Sequence, residues 1–390
     1  MPDTHTVTST RSWGSRLGGS FKGILIGILM FIAAFPLLWW NEGRTQKRHL
    51  ALLEAAALAI EVPSDRLDAA NNGKLLYSTG LVTSTGRLQD DELQVGVEGA
   101  LQFRREVEIF QWQEQASSKT EKNLGGSETT TTTYSYSRGW GSRLEDSSAF
   151  QKPVGHENPA QMDYSALQQV AEDARLGAFR LRSNEVRSLS AYQSLDLSGR
   201  EFAMLDRPHQ VQGTVLYLGD NPAQPQVGDL RISFSYVPAM QASIVARQDG
   251  ESLLPYRTRN GSSLLLLRTG EQRMDAMFES AQSDNSLTAW LLRLAGFVLM
   301  YAGLRAIMAP LSVLGDVVPV IGTLIGMGTG IVAFLVALPL SLLTIALAWV
   351  FYRPLLAVVL LGIALACLAA LWQRRSKARS GAATQPVQAG

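Results

Sequence analysis

Cysteine and histidine are almost absent from this sequence of 390 residues, which has one cysteine, Cys367, and four histidines. A single cysteine cannot form a disulfide within the chain, and its position in an apolar run indicates packing rather than chemistry. The histidines are scattered at positions 5, 49, 156 and 209, without the i, i+4 spacing of a helical zinc pair, and no CxxC motif occurs. The sequence therefore predicts no metal and no cofactor.

An excess of charge of one sign is also missing, because 35 lysines and arginines balance 34 aspartates and glutamates. This balance argues against a nucleic-acid-binding protein. No GxSxG motif is present, and GMGTG lies inside an apolar run rather than after a strand. His156 stands alone beside a predicted helix cap, and the carboxylates at positions 90–92 are expected to face solvent. We therefore predict that the chain is not an enzyme and name no catalytic residue.

Long apolar runs are what the sequence does have. The first covers residues 21–40, which at about 1.5 Å per residue match the hydrocarbon layer of a bilayer. It ends in Trp39 and Trp40, whose rings favour the membrane interface. A signal peptide would have a shorter apolar region and a small-residue cleavage site. The run predicts an uncleaved anchor, after which Asn41 and Glu42 lie in water.

Three further segments in the C-terminal third are apolar. Residues 286–310 form the second predicted span, whose Arg293 and Arg305 are expected to reach opposite interfaces; an interfacial helix is the alternative. Residues 317–351 carry no charge and favour one long or kinked helix with Pro339 inside it, although two crossings stay open. Residues 355–372 form the fourth predicted span, with Trp372 at the interface.

The charges that flank these segments predict their orientation. The tail at 373–390 is basic and is therefore expected in the cytoplasm. Four crossings then place the N-terminal tail, residues 1–20, in the cytoplasm and the domain at 41–285 on the other side. The basic residues at positions 44, 47 and 48 disagree with this orientation, but long domains cross membranes largely regardless of their charge.

The domain between the first two spans is predicted to be rich in strands. Residues 74–88, 93–115, 209–219 and 226–236 are strand-like, and the alternation in VEIFQWQ fits a strand with one wet face. The polar run at 125–140 fits either an exposed hairpin arm or a mobile loop. Asn158 and Pro159 fit the start of a helix that runs to about Arg175. The predicted fold is an α+β membrane protein with four transmembrane helices, one N-terminal and three C-terminal, and at least one central helix in its β-rich domain.

Three glycines in the third predicted span have a regular spacing. Gly322, Gly326 and Gly330 are four residues apart, a small-xxx-small pattern that lets helix backbones approach closely. The pattern fits packing within one chain as well as self-association. If it mediates self-association, replacing Gly326 and Gly330 by leucine reduces it.

Several dispersed blocks resemble one known family. They are GSFKGILIGILMFIAAFPLLWWNEGR, REVEIFQWQE, TYSYSRGW, GHENPAQM, QVGDLRISFSY, ARQDGESLLPYRT and LSLLTIALAWVFYRPLLA. In this order, over about residues 19–357, they are similar to the LUMA family, also called the transmembrane protein 43 family. The resemblance implies four spans, cytoplasmic ends and a large domain on the other side. Animal members lie in the ER and inner nuclear membranes, self-associate, and are linked to lamins and emerin.

These features together predict a multi-pass membrane scaffold that forms a homo-oligomer. Its expected partners are the lipid bilayer, further copies of itself and other membrane proteins. The alternative is a channel or transporter component, for which Arg293, Arg305 and Asp316 are the candidate residues, although Asp316 is expected to be a wetted loop residue. The tail composition suggests a bacterial source, which would place the chain in the inner membrane and the domain in the periplasm, without the animal partners.

Overall fold

The computed structural model describes residues 3–353. The predicted span at 355–372, its Trp372 and the basic tail at 373–390 lie outside the described residues. The chain divides into two compact units. The β unit comprises the described residues up to Ser12, Ala51–Asn123 and Ser127–Ser283. The helical unit comprises Trp13–Leu50, Leu124–Gly126 and the described residues from Asp284 onward.

Three long helices dominate the helical part of the chain. The helices are α1 (Trp13–Leu58), the short α2 (Ser183–Arg187), α3 (Met274–Gly315) and α4 (Pro319–Tyr352). With 46, 42 and 34 residues, α1, α3 and α4 are long and apolar enough to cross a membrane. The run predicted at 317–351 forms one helix, α4, with Pro339 inside it. An α+β chain with one N-terminal and two C-terminal apolar helices is therefore confirmed.

Nineteen strands are described. They are β1 Asp3–Arg11, β2 Ile60–Glu61, β3 Leu75–Thr83, β4 Arg87–Asp90, β5 Val95–Glu98, β6 Gln102–Lys122, β7 Glu128–Gly141, β8 Leu167–Val170, β9 Arg175–Leu176, β10 Phe179–Arg180, β11 Gln193–Ser194, β12 His209–Gln212, β13 Val215–Leu218, β14 Leu230–Val237, β15 Met240–Asp249, β16 Ser252–Leu254, β17 Tyr256–Arg257, β18 Ser263–Leu264 and β19 Leu266–Thr269. Single 3-10 turns lie at Ala69–Asn71 and Ser147–Ala149.

The larger sheet has the strand order β1-β7-β6-β14-β13-β12, with β11 on β14 and β8 on β6. One face of its central strands is apolar, because alternate residues of β6 and β14 point inward. Phe103 and Phe234 stack there with ring centroids 5.6 Å apart. The second sheet has the order β19-β15-β16-β10-β9-β3-β2, and β15 also pairs with β3.

The β unit also contains the last turns of α1 and the first turns of α3. Leu52 and Ala55 pack with Tyr77, Met277 and Phe278 in one buried cluster. Because these helix ends carry apolar residues at helical spacing, they cover one face of the second sheet. The prediction that the helix of the first apolar run continues beyond residue 44 agrees with α1, which ends at Leu58.

Two predictions for the polar segments differ from the structure. Residues 3–11 are not a separate tail: β1 pairs with β7 along its whole length, and α1 begins at Trp13. Residues 159–175 do not form a helix, and β8 lies in their place. The polar run at 125–140 is a hairpin, since β6 and β7 pair from Ile109 with Gly141 to Lys122 with Glu128.

Candidate functional site in the helical unit

The three regularly spaced glycines face α3 of the same chain. Gly322 and Gly330 are buried, and Gly326 is half-buried. A Cβ atom at Gly322 would overlap Asp316, and one at Gly326 would lie 3.0 Å from Ser312 Oγ. The absence of side chains therefore lets α4 approach α3 closely within the chain. Their role in self-association stays a prediction.

One buried carboxylate joins all three long helices. Glu42 on α1 is 1% exposed. It accepts hydrogen bonds from Arg293 of α3, at 2.7 Å from Nε and 2.9 Å from Nη2, and from Trp349 Nε1 of α4 at 2.7 Å. The two-pronged guanidinium contact is the strong geometry for such a pair. The prediction that Glu42 lies in water is wrong, because its carboxylate is buried and paired with Arg293. The position of Arg293 at a membrane interface stays a prediction.

Two buried asparagines add cross-links beside this carboxylate. Asn41 Nδ2 of α1 donates to Ala289 O of α3, and Asn285 Nδ2 of α3 donates to Thr45 O of α1, both at 3.0 Å. Because each amide reaches a backbone carbonyl of the other helix, the register between α1 and α3 is fixed in both directions. The expectation that Asn41 lies in water is therefore also wrong.

A second buried ion pair joins α1 to the turn between α3 and α4. Arg16 Nη2 lies 2.5 Å from Asp316 Oδ2, and their side chains are 8% and 1% exposed. Arg16 Nη1 also donates to Gly126 O at 2.6 Å, and Trp13 Nε1 donates to Val313 O at 2.9 Å. Asp316 is therefore a buried structural carboxylate, and the prediction of a wetted loop residue is wrong.

A close approach between α1 and α3 involves two glycines that the sequence analysis did not single out. A Cβ atom at Gly303 of α3 would lie 2.7 Å from both Gly27 O and Phe31 N of α1. A Cβ atom at Gly27 would lie 2.7 Å from Gly303 O. Both neighbours are backbone atoms, which cannot rotate away as a side chain can. Only glycine at both positions permits this contact.

The remaining predicted anchors lie on exposed parts of the helices. Trp40 is 55% exposed and Trp39 is 36% exposed, with its ring 5.7 Å from that of Phe351. Arg305 is exposed, and its Nη1 lies 3.5 Å from Tyr301 Oη. Their anchoring at the membrane interface stays a prediction, and Trp372 lies outside the described residues.

Known proteins are similar to this chain over most of its length. The model of the family described as Transmembrane protein 43 matches residues 109–354. Human Transmembrane protein 43 is 35% identical over 361 residues, which cover 90% of this chain and 89% of that protein. The chain belongs to the transmembrane protein 43 family. The mouse protein is 34% identical over 359 residues, 88% of each chain, and the Drosophila melanogaster homolog 29% over 357 residues, 86% of this chain and 90% of that one. No solved structure matches the chain.

The β unit of this transmembrane protein 43 family member holds a second polar cluster, centred on His156. The imidazole is buried, stacks on Tyr136 with ring centroids 4.1 Å apart, and meets Trp112 edge-on at 4.6 Å. Its Nδ1 lies 2.9 Å from Lys152 O, and its Nε2 lies 2.9 Å from Asp3 Oδ2. The cluster ties β1 to β7, and the structural rather than catalytic role of His156 stays a prediction.

Hydrogen bonds within this cluster shift two acid–base equilibria. The pKa of Asp3 is lowered, chiefly by the hydrogen bond from Lys152 Nζ at 3.0 Å. The pKa of Tyr136 is raised to about 12, first by burial and then by its hydrogen bond to the Glu114 carboxylate. Tyr136 therefore stays protonated and donates at neutral pH.

Acid is expected to loosen β1. Since the pKa of Asp3 lies below its ordinary value of 3.8 in the folded chain, its contribution is complete above pH 3.8 and is lost as the pH falls further. Hydrogen exchange of the β1 amides, corrected for intrinsic rates and compared with that of β13, should stay constant above pH 3.8 and speed up as the pH falls below that value. An Asp3→Asn variant should lose most of this pH dependence. Equal dependence in both proteins would contradict the assignment to Asp3.

Two of the three carboxylates at positions 90–92, those of Asp90 and Glu92, contact a buried arginine. Arg105 of β6 is 3% exposed and contacts Asp90 Oδ2 and Glu92 Oε2, both at 2.6 Å. Asp90 itself is buried, so the expectation of a solvent-facing cluster is wrong for it. Because the cluster is satisfied by one arginine, it serves packing of the β unit. Within residues 3–353, no group of three potential ligands is placed to hold a metal ion.

Proposed function

We propose that this chain is a multi-pass membrane scaffold that self-associates and displays an extracytoplasmic domain, which organises the membrane or assembles protein complexes. The observation that carries the proposal is the contact of Glu42 with both Arg293 and Trp349, which binds α1, α3 and α4 together. Buried polar contacts of this kind fix one arrangement of helices in lipid.

A channel or transporter component is less well supported by the same geometry. A conducting path needs polar groups that stay available to an ion or a substrate. Of the candidate residues, Arg293 is neutralised by Glu42 and Asp316 by Arg16. One pair connects two helices and the other connects α1 to the turn between α3 and α4. We therefore assign these charges to the internal structure of the helical unit, and Arg305 is left as the candidate for a path.

The mass of the purified full chain in lipid nanodiscs tests the scaffold function. Light scattering, corrected for lipid, is expected to give a discrete mass of several chains. The mass of one chain would contradict self-association. Flux of small ions through liposomes that contain the protein is expected to equal that of empty liposomes, and flux that changes in an Arg305→Gln variant would favour the channel. Leucine at Gly326 and Gly330 is a poor test, because these glycines face α3.

A further inference from the structure

We infer that a second copy of this chain adds its β1 in parallel to the open edge of β6, so that neighbouring copies share one continuous sheet. The inference rests on the self-association proposed above and names the surface through which the copies associate. The surface belongs to a part of the β unit that we call the arm, which consists of β1, residues 114–122 of β6 and residues 128–136 of β7.

The arm has no apolar face with which to pack. Its three strands read DTHTVTSTR, EQASSKTEK and ETTTTTYSY, and almost every side chain on either face is polar. Residues 115–122 are exposed, and so is most of β1. A three-stranded sheet ordinarily gains its stability by burying one face. The arm can gain a partner through its backbone edges instead.

The first open edge lies on β6. Its pairing with β14 ends at Ile109, which lies opposite Leu230. Further hydrogen bonds on this side join Phe110 N to Asp229 O and Trp112 N to Asn158 Oδ1. Backbone groups on one side of a strand alternate with a period of two. The peptide groups at positions 114, 116, 118 and 120 therefore also point outward, and no strand in the described part of the chain pairs with them.

The second open edge lies on β1. Strand β7 is the middle strand of the arm, with β1 on one side and β6 on the other, and β1 is the terminal strand of its sheet. Both outer strands run antiparallel to β7, so they run in the same direction as each other. Repeating the arm side by side therefore places β1 of one copy parallel to β6 of the next. Exposed edges of this kind are templates for pairing with another chain.

Identical copies are the occupant that this geometry favours. Thr8 of β1 and Lys119 of β6 both pair with Thr131 of β7, so their side chains lie on the same face of the arm. When β1 of a neighbouring copy pairs with β6, the side chains of directly opposed residues must lie on the same face of the sheet. The register can therefore shift only by an even number of residues. Each copy then contributes the open edge of its β6 to one neighbour and its β1 to another. This is a head-to-tail interface, which closes into a ring or continues as a filament.

Charge selects among the allowed registers. Without a shift, Arg11 would lie beside Lys122, because both pair with Glu128, and like charges placed side by side are destabilising. A shift by two residues separates them and keeps the faces aligned. It brings Thr8 beside Ser117 or, in the other direction, beside Glu121.

Cysteine cross-linking tests this pairing in the full chain in nanodiscs, with Cys367→Ala as the background. Thr8→Cys combined with Ser117→Cys or with Glu121→Cys should give covalent ladders on oxidation. Within one copy these positions are separated by β7, about 10 Å for two strand spacings, beyond the roughly 7 Å that a disulfide spans. Ladders therefore report bonds between copies. Thr8→Cys with Ser118→Cys is the matched control, because these side chains point to opposite faces.

A proline at the open edge supplies a second measurement. Ser118→Pro removes an outward N–H and the side-chain hydrogen bond to Thr132 Oγ1, but no backbone hydrogen bond to β7, so the hairpin is expected to survive. The mass in nanodiscs should fall to that of one chain, while Ser118→Thr keeps the assembly.

The outcomes distinguish a failure of the edge pairing from a failure of the proposed self-association. Ladders together with a smaller Ser118→Pro assembly support the inference. An assembly that keeps its mass in Ser118→Pro and gives no ladder overturns the edge pairing and leaves self-association standing. A single-chain mass for the unmodified protein overturns both. Ladders in the Ser118 control that equal those of Ser117 and Glu121 would show random collision and would also overturn the pairing.

Discussion

Replacing Glu42 by glutamine is expected to lower the stability of the helical unit by about 3 kcal/mol or more, the usual cost of breaking a buried ion pair. The amide has nearly the same shape, and its oxygen can still accept from Trp349 Nε1. It cannot neutralise Arg293, whose guanidinium is then left in a site where Glu42 had been 1% exposed. The uncompensated positive charge, rather than lost packing, is the reason for the large effect.

The thermal midpoint of the purified chain in one fixed detergent or nanodisc measures this effect. Arg293→Gln should be destabilising as well, and the double variant Glu42→Gln/Arg293→Gln should cost less than the sum of the two, because it leaves no unpaired charge. Glu251→Gln is the matched control, since its pair with Arg175 lies on the surface and such pairs contribute little. An unchanged midpoint in Glu42→Gln would refute the role of the carboxylate.

Replacing Gly303 by leucine is expected to prevent the native packing of α1 against α3. A Cβ atom there meets Gly27 O and Phe31 N at 2.7 Å, so the two helices must separate before any side chain fits. Overpacking a close contact costs about 1–3 kcal/mol for small changes, and a separation that also strains the Glu42 and Asn41 contacts costs more. We expect little folded, monodisperse protein after purification.

Gly328 offers a matched control on α4. Apart from its chain neighbours and the nearby backbone of α4 itself, no atom of the described residues lies within 4 Å of a Cβ placed there, so Gly328→Leu should leave the thermal midpoint nearly unchanged. Gly303→Ala should fall between wild type and leucine, because it adds the clashing atom alone. Size-exclusion profiles and thermal midpoints of the three variants test this order. If Gly303→Leu purifies as well as Gly328→Leu, the close approach is not needed for folding.

The long helices could be predicted from sequence because the bilayer sets a length and composition that a single run reveals by itself. The partners of buried charged side chains could not be predicted from sequence in this way. Glu42 stands at the edge of an apolar run, where a carboxylate is ordinarily wetted, and its partner Arg293 lies 251 positions further along the chain. Gly27 and Gly303 each look like ordinary glycines of membrane helices, and only their meeting gives them a role.

In the β unit, too, the structure of two segments could not be predicted from their local sequence. Asn158 and Pro159 have the local signature of a helix start, yet the Asn158 side chain bonds both Trp112 N and Trp112 O. Pairing with β6 thus overrides the local preference, as it also does where β8 forms. The segment at positions 3–11 is polar on both faces and has no apolar alternation, so its place in a sheet depends on a partner that local pattern cannot identify.

The pairing of β1 with β7 also has a consequence for biogenesis. Arg11 pairs with Glu128, so the ribosome must add 117 residues (128 − 11) after β1 before even the nearest part of its partner exists. At about 5–20 residues per second this takes on the order of 6–23 s. All of α1 is synthesised during that interval. The first strand of the chain therefore waits without a partner while its neighbour is made, and its threonine-rich, uncharged centre offers little apolar surface for premature aggregation.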